Sequence, residues 1–187
     1  MDIEICSNGK TLCPIEWDLG TLLNQQHAPF FIVGSSRSGT TLLRLILAGH
    51  SRIAIPPETW FMLRLVEQFP LTSPLELEQV RAAIRVITEC HRWQDLSILS
   101  DKFAKEAIAL NHPTLRELVD VVFRFYLKRT GKPRVGDKTP TYINIVPQLK
   151  TMYADAKFIH LIRDGRDVAM SFVDASFRGR CYHGAAF

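Results

Sequence analysis

Between Phe30 and His50 the chain passes from a short apolar run, through a loop of small and hydroxylated residues, into a segment with helical spacing. Phe30-Phe31-Ile32-Val33 is aromatic and β-branched with no polar alternation, so it reads as a strand buried on both faces. Gly34-Ser35-Ser36-Arg37-Ser38-Gly39-Thr40-Thr41 follows, and Gly39 to His50 places Leu42, Leu43, Leu45, Ile46 and Leu47 at helical intervals. A buried strand that turns directly into a helix calls for a parallel partner strand, and parallel strands need crossover connections. This restricts the chain to an α/β architecture with a mainly parallel central sheet.

The remaining segments fit that frame. A weakly amphipathic stretch from Ile15 to His27 reads as an outer helix. Ile53 to Ile55, stopped by Pro56-Pro57, reads as a second short strand. From Glu58 to Gly131 the pattern is helical: Leu77, Val80, Ile84 and Ile87 follow the 3.6-residue period, as do Leu115, Leu118, Val119, Val122 and Tyr126 after a start at Pro113-Thr114. Pro133 to Gly136 is a third, weak strand, Tyr142 to Tyr153 a helix, Lys157 to Ile162 a clear strand, and Asp167 to Val173 a helix. The order predicts a three-layer α/β sandwich with a helical insert. At 187 residues, without repeats or linkers, the chain reads as one domain, 1–187.

Composition limits the function classes. The formal charge is +4, from 23 Lys and Arg against 19 Asp and Glu. That excess suits a small anionic ligand and is too slight to mark a nucleic-acid protein. No run reaches the roughly 18 apolar residues of a membrane span, and the acidic start Met1-Asp2-Ile3-Glu4 lacks a secretory signal. Cys6, Cys13, Cys90 and Cys181 are scattered, with no CxxC pair, so neither a metal site nor a disulfide framework is expected. A soluble protein of a reducing, cytoplasmic compartment is the plain expectation.

Chemically capable residues gather in one kind of place. Gly34 to Thr41 follows the first strand, Glu58 the second, Asp137-Lys138 the third and Arg163 the fourth. Ligands of open parallel sheets bind at the carboxyl ends of the strands, so four such clusters predict one shared site on one sheet rim.

The loop itself is built for an anion. Small residues let the backbone curl with several N–H groups inward, and the helix amino end adds partial positive charge. Arg37 contributes a fork of donors, and the hydroxyls of Ser38, Thr40 and Thr41 suit phosphate oxygens. The plainer alternative is an ordinary glycine-containing turn. Gly34 and Gly39 have the spacing of the nucleotide-triphosphatase loop GxxxxGK, but Thr40 stands where that motif has its lysine. Neither Val135-Gly136-Asp137 nor Ile162-Arg163-Asp164 makes a good magnesium-holding strand end, which disfavours an ordinary ATPase or kinase.

Arg37-Ser-Gly-Thr-Thr-Leu-Leu-Arg44 resembles the 5′-phosphosulfate loop of sulfotransferases that use 3′-phosphoadenosine 5′-phosphosulfate, nearest the branch of tyrosylprotein and carbohydrate sulfotransferases. Lys157-Phe-Ile-His-Leu-Ile-Arg163-Asp-Gly-Arg-Asp-Val-Ala-Met-Ser171 is similar to the second hallmark of that family, the strand and helix that hold the 3′-phosphate. The resemblance covers the chain from about Phe30 to Phe172. It implies a P-loop-like fold, the nucleotide as co-substrate, and no metal. Arg37, Ser38, Gly39, Thr40, Thr41, Arg163 and Ser171 would hold the nucleotide. Glu58 would take the acceptor's proton, a role that requires partial desolvation to raise its pKa; otherwise it is a helix-start acid. Lys138, otherwise a solvated loop lysine, would together with Arg37 support the leaving phosphate.

Other residues carry open readings. Asp137 either orients Lys138 or caps the helix beginning near Pro140. Arg166 and Asp167 read as surface or capping groups, and His160 as a core histidine within its apolar strand. Trp60, Phe61 and Trp93 read as core, with Trp60 and Phe61 near enough to Glu58 to line an acceptor pocket. The acceptor is a small molecule, carbohydrate or peptide bearing a hydroxyl or amine, and its pocket has no readable code between Met62 and Gly131. Members of the resembled family extend well beyond the Arg163–Ser171 motif. Phe177-Arg-Gly-Arg-Cys-Tyr-His-Gly184 only faintly echoes a glycine-rich phosphate-binding tail, so the expectation is a domain lacking the family's C-terminal part. Two rival functions stay open: a non-catalytic nucleotide-binding module, and a P-loop nucleotide kinase with a displaced cation.

Overall fold

The computed structural model describes residues 28–176. The expected Ile15–His27 helix, the tail after Ser176, and Cys6, Cys13 and Cys181 lie outside the described residues. Four strands form one parallel sheet in the order β2-β3-β1-β4: β1 Phe30–Gly34, β2 Ile53–Ala54, β3 Arg134–Lys138 and β4 Lys157–Leu161. The helices are α1 Thr40–Ala48, α2 Phe61–Gln68, α3 Leu77–Thr88, α4 Ser100–Ile108, α5 Leu115–Thr130, α6 Val146–Met152 and α7 Gly165–Ser176. Single 3-10 segments cover Trp93–Leu96 and Pro140–Ile145. The expected Tyr142–Tyr153 helix thus begins as a 3-10 turn, and β3 runs two residues further than its weak signal suggested. No helix of the described residues is long and apolar enough to cross a membrane.

The three-layer reading holds because β1 sends alternate side chains into two different apolar clusters. Phe31 and Val33 join the large core made with the helical insert, α6 and the Pro140–Ile145 turn. Phe30 and Ile32 pack on the other face with Ile55 and with Leu43 and Leu47 of α1. All five residues of β1 are buried. Of the five apolar side chains expected on α1, only the i, i+4 pair Leu43 and Leu47 meets the sheet; Leu42, Leu45 and Ile46 are exposed. Helix α5 starts as its sequence indicates, with Thr114 and Glu117 forming a reciprocal capping box.

One expectation is overturned. His160 is exposed, not a core histidine. β4 is the outermost strand of the described sheet, paired to β1 alone, and its residues are exposed or half-buried. An apolar run marks a strand but does not distinguish a sheet's centre from its edge.

Candidate functional site

Parallel registry brings the carboxyl ends of the strands to one rim. Ile32 pairs with Lys138 across β1 and β3, and Gly34 pairs with Leu161 across β1 and β4. Gly34 is required by the closeness of that second pairing, since a Cβ there would lie 2.5 Å from the Leu161 carbonyl oxygen. The loop then curls: the amide and hydroxyl of Ser38 both donate to the Ser35 carbonyl, at 3.3 and 2.6 Å. Arg37 (φ 68°) and Gly39 (φ 101°) take left-handed backbone, and Gly39 begins α1. For Gly39 this conformation is free of the Cβ penalty that Arg37 bears. Ser38 and Thr40 are buried, whereas Arg37, Gly39 and Thr41 are exposed.

Two side-chain constellations flank this loop. In the first, Lys138 Nζ contacts Glu58 Oε1 at 2.5 Å and donates to Thr41 Oγ1 at 3.2 Å. The second Glu58 oxygen, Oε2, accepts from the indole N–H of Trp60 at 2.9 Å. Lys138 is buried and Glu58 half-buried, so this is a largely desolvated ion pair opening on the rim. In the second constellation, Arg37 Nε donates to Ser171 Oγ at 3.1 Å, and Arg163 Nη1 donates to the Arg37 carbonyl at 3.3 Å. Arg163 also pairs with Asp167 one turn along α7, at 3.7 Å. Arg37 is therefore tied to the Arg163–Ser171 end, and Thr41 is the loop residue that meets Lys138.

Arg166 does not face this crevice. Its guanidinium and amide bond the Asp164 carboxylate, which starts α7 and is held below the usual carboxylate range by those contacts. Phe61 and Trp93 are buried core residues, but Trp60 is only half-buried, with left-handed backbone (φ 58°) and its ring 6.1 Å from that of His91. Among the described residues no group of three or more His, Cys, Asp or Glu is arranged to hold a metal ion.

Behind the ion pair lies a network that sequence reasoning missed. Asp137 is fully buried; its Oδ2 accepts from Thr59 Oγ1 at 2.6 Å and its Oδ1 from Thr139 Oγ1 at 3.0 Å. Thr139 Oγ1 in turn accepts from the Thr59 amide, and Tyr142 OH lies 2.7 Å from Thr59 Oγ1 while accepting from the Met62 amide. Burial pushes the Asp137 carboxyl up to about 6 against the lowering effect of the two hydroxyls and Lys138. Burial likewise raises Tyr142 well above the usual phenol value, with the Asp137 charge adding to it. The only sequence signal for this network was the run of Thr139 and Asp137 around Lys138, and it left Asp137's role open.

The sulfotransferase family model matches residues 29–184. Nodulation protein NoeE of Sinorhizobium fredii is 30% identical over 141 residues, 75% of this chain and 30% of that protein. An uncharacterized protein of Aquifex aeolicus is 29% identical over 157 residues, 81% of this chain and 18% of its own length. Among solved structures, that of sulfotransferase STF9 from Mycobacterium avium aligns with 84% of this chain and 48% of its own, at 14% identity and a TM-score of 0.42. The chain spans less than a third of the length of these two curated relatives.

Proposed function

The chain belongs to the sulfotransferase family, and we propose that it moves a sulfuryl group from 3′-phosphoadenosine 5′-phosphosulfate to a hydroxyl or amine of a small-molecule, carbohydrate or peptide acceptor. The observation that carries this reading is the pairing of the two constellations on one rim: Glu58–Lys138–Thr41 on one side of the Gly34–Thr41 loop and Arg37–Ser171–Arg163 on the other. A nucleotide with phosphate at both its 5′ and 3′ ends needs two such anion-binding points.

In the reaction the sulfur–oxygen bond to the 5′-phosphate breaks as a bond from sulfur to the acceptor oxygen or nitrogen forms. The acceptor proton passes to Glu58, and the electron pair of the broken bond stays on the leaving phosphate. Positioning and charge stabilisation supply most of the rate in such a transfer, as in phosphoryl transfer. Lys138 serves the leaving group: its ammonium turns from Glu58 to the developing phosphate charge, and this frees Oε1 to receive the proton. Arg37, with the hydroxyls of Ser38, Thr40 and Thr41 and the loop amides around Gly39, grips the nucleotide at the start of α1. Arg163 and Ser171 take the 3′-phosphate. Trp60, half-exposed beside Glu58, borders the acceptor's approach.

Nucleotide binding without turnover is the second reading, favoured by Glu58, both of whose oxygens are already engaged by Lys138 and Trp60. Thermal unfolding with adenosine 3′,5′-bisphosphate, with ATP and magnesium, and a sulfate-transfer assay against hydroxyl and amine acceptors separate the readings. Stabilisation by the bisphosphate together with transfer is expected. Bisphosphate stabilisation with no transfer favours the binding module, and stabilisation by ATP with magnesium alone overturns the proposal in favour of a kinase.

A further inference from the structure

We infer that Asp137 is a positioning residue whose buried carboxylate, acting through the Thr59 hydroxyl, holds the Glu58 segment against β3 independently of the Glu58–Lys138 ion pair. The inference rests on the sulfuryl-transfer reading above.

The geometry builds it from adjacency. Thr59 follows Glu58 directly, and Asp137 precedes Lys138 directly. Successive strand residues face opposite sides of a sheet. Lys138 is registered with Ile32 and reaches Thr41 on the α1 side; Asp137 is registered with Phe31, whose ring lies in the core on the insert side. The two segments that carry Glu58 and Lys138 are therefore joined at the rim by the ion pair and beneath it by Thr59, whose hydroxyl reaches Asp137 and whose amide reaches Thr139.

The donor directions are fixed once the carboxylate is ionised, because it can only accept. Thr59 and Thr139 donate their hydroxyl protons to Asp137, so Tyr142 must donate to Thr59, and Tyr142 itself accepts from the Met62 amide. Every proton in the chain points at Asp137. The charges facing it are Lys138 and Glu58, with the Tyr142 phenol at network distance and the Tyr153 phenol also feeling its field.

An amide or apolar side chain would fill this place without burying a charge, and burying one is unfavourable unless it is well bonded. The chemistry supplies a reason for an acid. When Lys138 leaves Glu58 for the phosphate, the rim contact is lost at the moment the base must stay in register. A tether that runs through Thr59 survives that step, because none of its hydrogen bonds uses the ammonium.

The test uses the full chain with Asp137→Asn, Thr59→Val and Thr59→Ser, each with and without Lys138→Met. Amide hydrogen exchange and calorimetric titration with adenosine 3′,5′-bisphosphate are the readouts. In Asp137→Asn and Thr59→Val, protection of the residue 59 and Met62 amides should fall about tenfold relative to Ile32 in β1, and Thr59→Ser should restore it. That loss of protection should persist at the same size in the Lys138→Met background, because the tether makes no use of the ammonium, while bisphosphate affinity changes by less than about threefold. Equal loss of protection at Ile32, or a loss at residue 59 and Met62 that vanishes in the Lys138→Met background, overturns the inference and leaves Asp137 a fold anchor. Should the unsubstituted chain bind no bisphosphate, the nucleotide reading falls while the exchange measurement still decides the tether. Thr59→Val and Thr59→Ser decide it alone if Asp137→Asn does not fold.

Discussion

Lys138 on β3 and Glu58 in the loop after β2 meet as an ion pair across 80 residues of chain, with Nζ 2.5 Å from Oε1. The lysine is buried while the glutamate is half-buried, so the pair sits where Coulomb attraction is stronger than at a surface. Each partner is also held by a neutral group, Lys138 by Thr41 and Glu58 by Trp60. The arrangement therefore keeps its shape when one charge is drawn away, which is what a group alternating between an acid partner and a phosphate requires.

Replacing Lys138 with Met should lower turnover about a hundredfold to a thousandfold, the scale of losing one transition-state charge donor. Affinity for adenosine 3′,5′-bisphosphate should fall by less than about tenfold, because the loop amides and Arg37 still hold the nucleotide. Steady-state kinetics beside calorimetric titration checks this split. Equal losses in both would remove the transition-state role.

Glu58→Gln keeps the side chain's shape and leaves an oxygen for the Trp60 indole. Turnover should fall about a hundredfold or more through loss of the proton acceptor, with bisphosphate affinity changed by less than about threefold. An equally active variant would exclude Glu58 as the base.

Arg163→Ala should remove discrimination at the 3′ end. A charge-assisted hydrogen bond contributes about 1.5–3 kcal/mol, so the affinity ratio of adenosine 3′,5′-bisphosphate to adenosine 5′-monophosphate should drop roughly 10- to 100-fold. Ser171→Ala should lower the same ratio by a smaller factor, since it removes one neutral hydroxyl. A ratio unchanged by Arg163→Ala means that the 3′-phosphate is bound elsewhere.

Much of this site was legible from residue types alone because its parts are punctuated. Gly34 and Gly39 bracket the loop, Pro56-Pro57 stops β2 just before Glu58, and Lys138 and Arg163 lie at or just after strand ends, whereas Ser171 on α7 was reachable only through the family resemblance. Strand order then did the assembly, since parallel registry puts all four strand ends on one rim. What escaped were contacts set by side-chain direction across long sequence separations. Nothing in Thr59 signals a meeting with Asp137 or with Tyr142, 78 and 83 residues away. The turn of Arg37 toward Ser171, over 134 residues, was equally hidden. The exposure of His160 escaped for another reason: hydropathy reports that a segment is a strand, while its place in the sheet depends on which neighbours it has.

Asp137 gives a pH test that needs no ligand. Its carboxyl is raised from 3.8 to about 6 in the folded protein, chiefly by burial. Between those values the folded chain binds the proton that the unfolded chain has already released, so stability falls as pH rises through this window and levels off above it. Below about pH 3 the group is protonated in both states and contributes no penalty. A shift of that size corresponds to about 3 kcal/mol at neutral pH. Asparagine cannot titrate, so the stability of Asp137→Asn relative to the unsubstituted chain should rise by about 3 kcal/mol between pH 3 and 7. Taking the difference between the two proteins cancels carboxylates of opposite sign such as Asp164, which Arg166 holds below its usual range. Denaturant midpoints at several pH values measure the difference directly. If the two curves run parallel across the window, Asp137 ionises in the fold as it does in the unfolded chain, and the buried network does not hold the charge described for it.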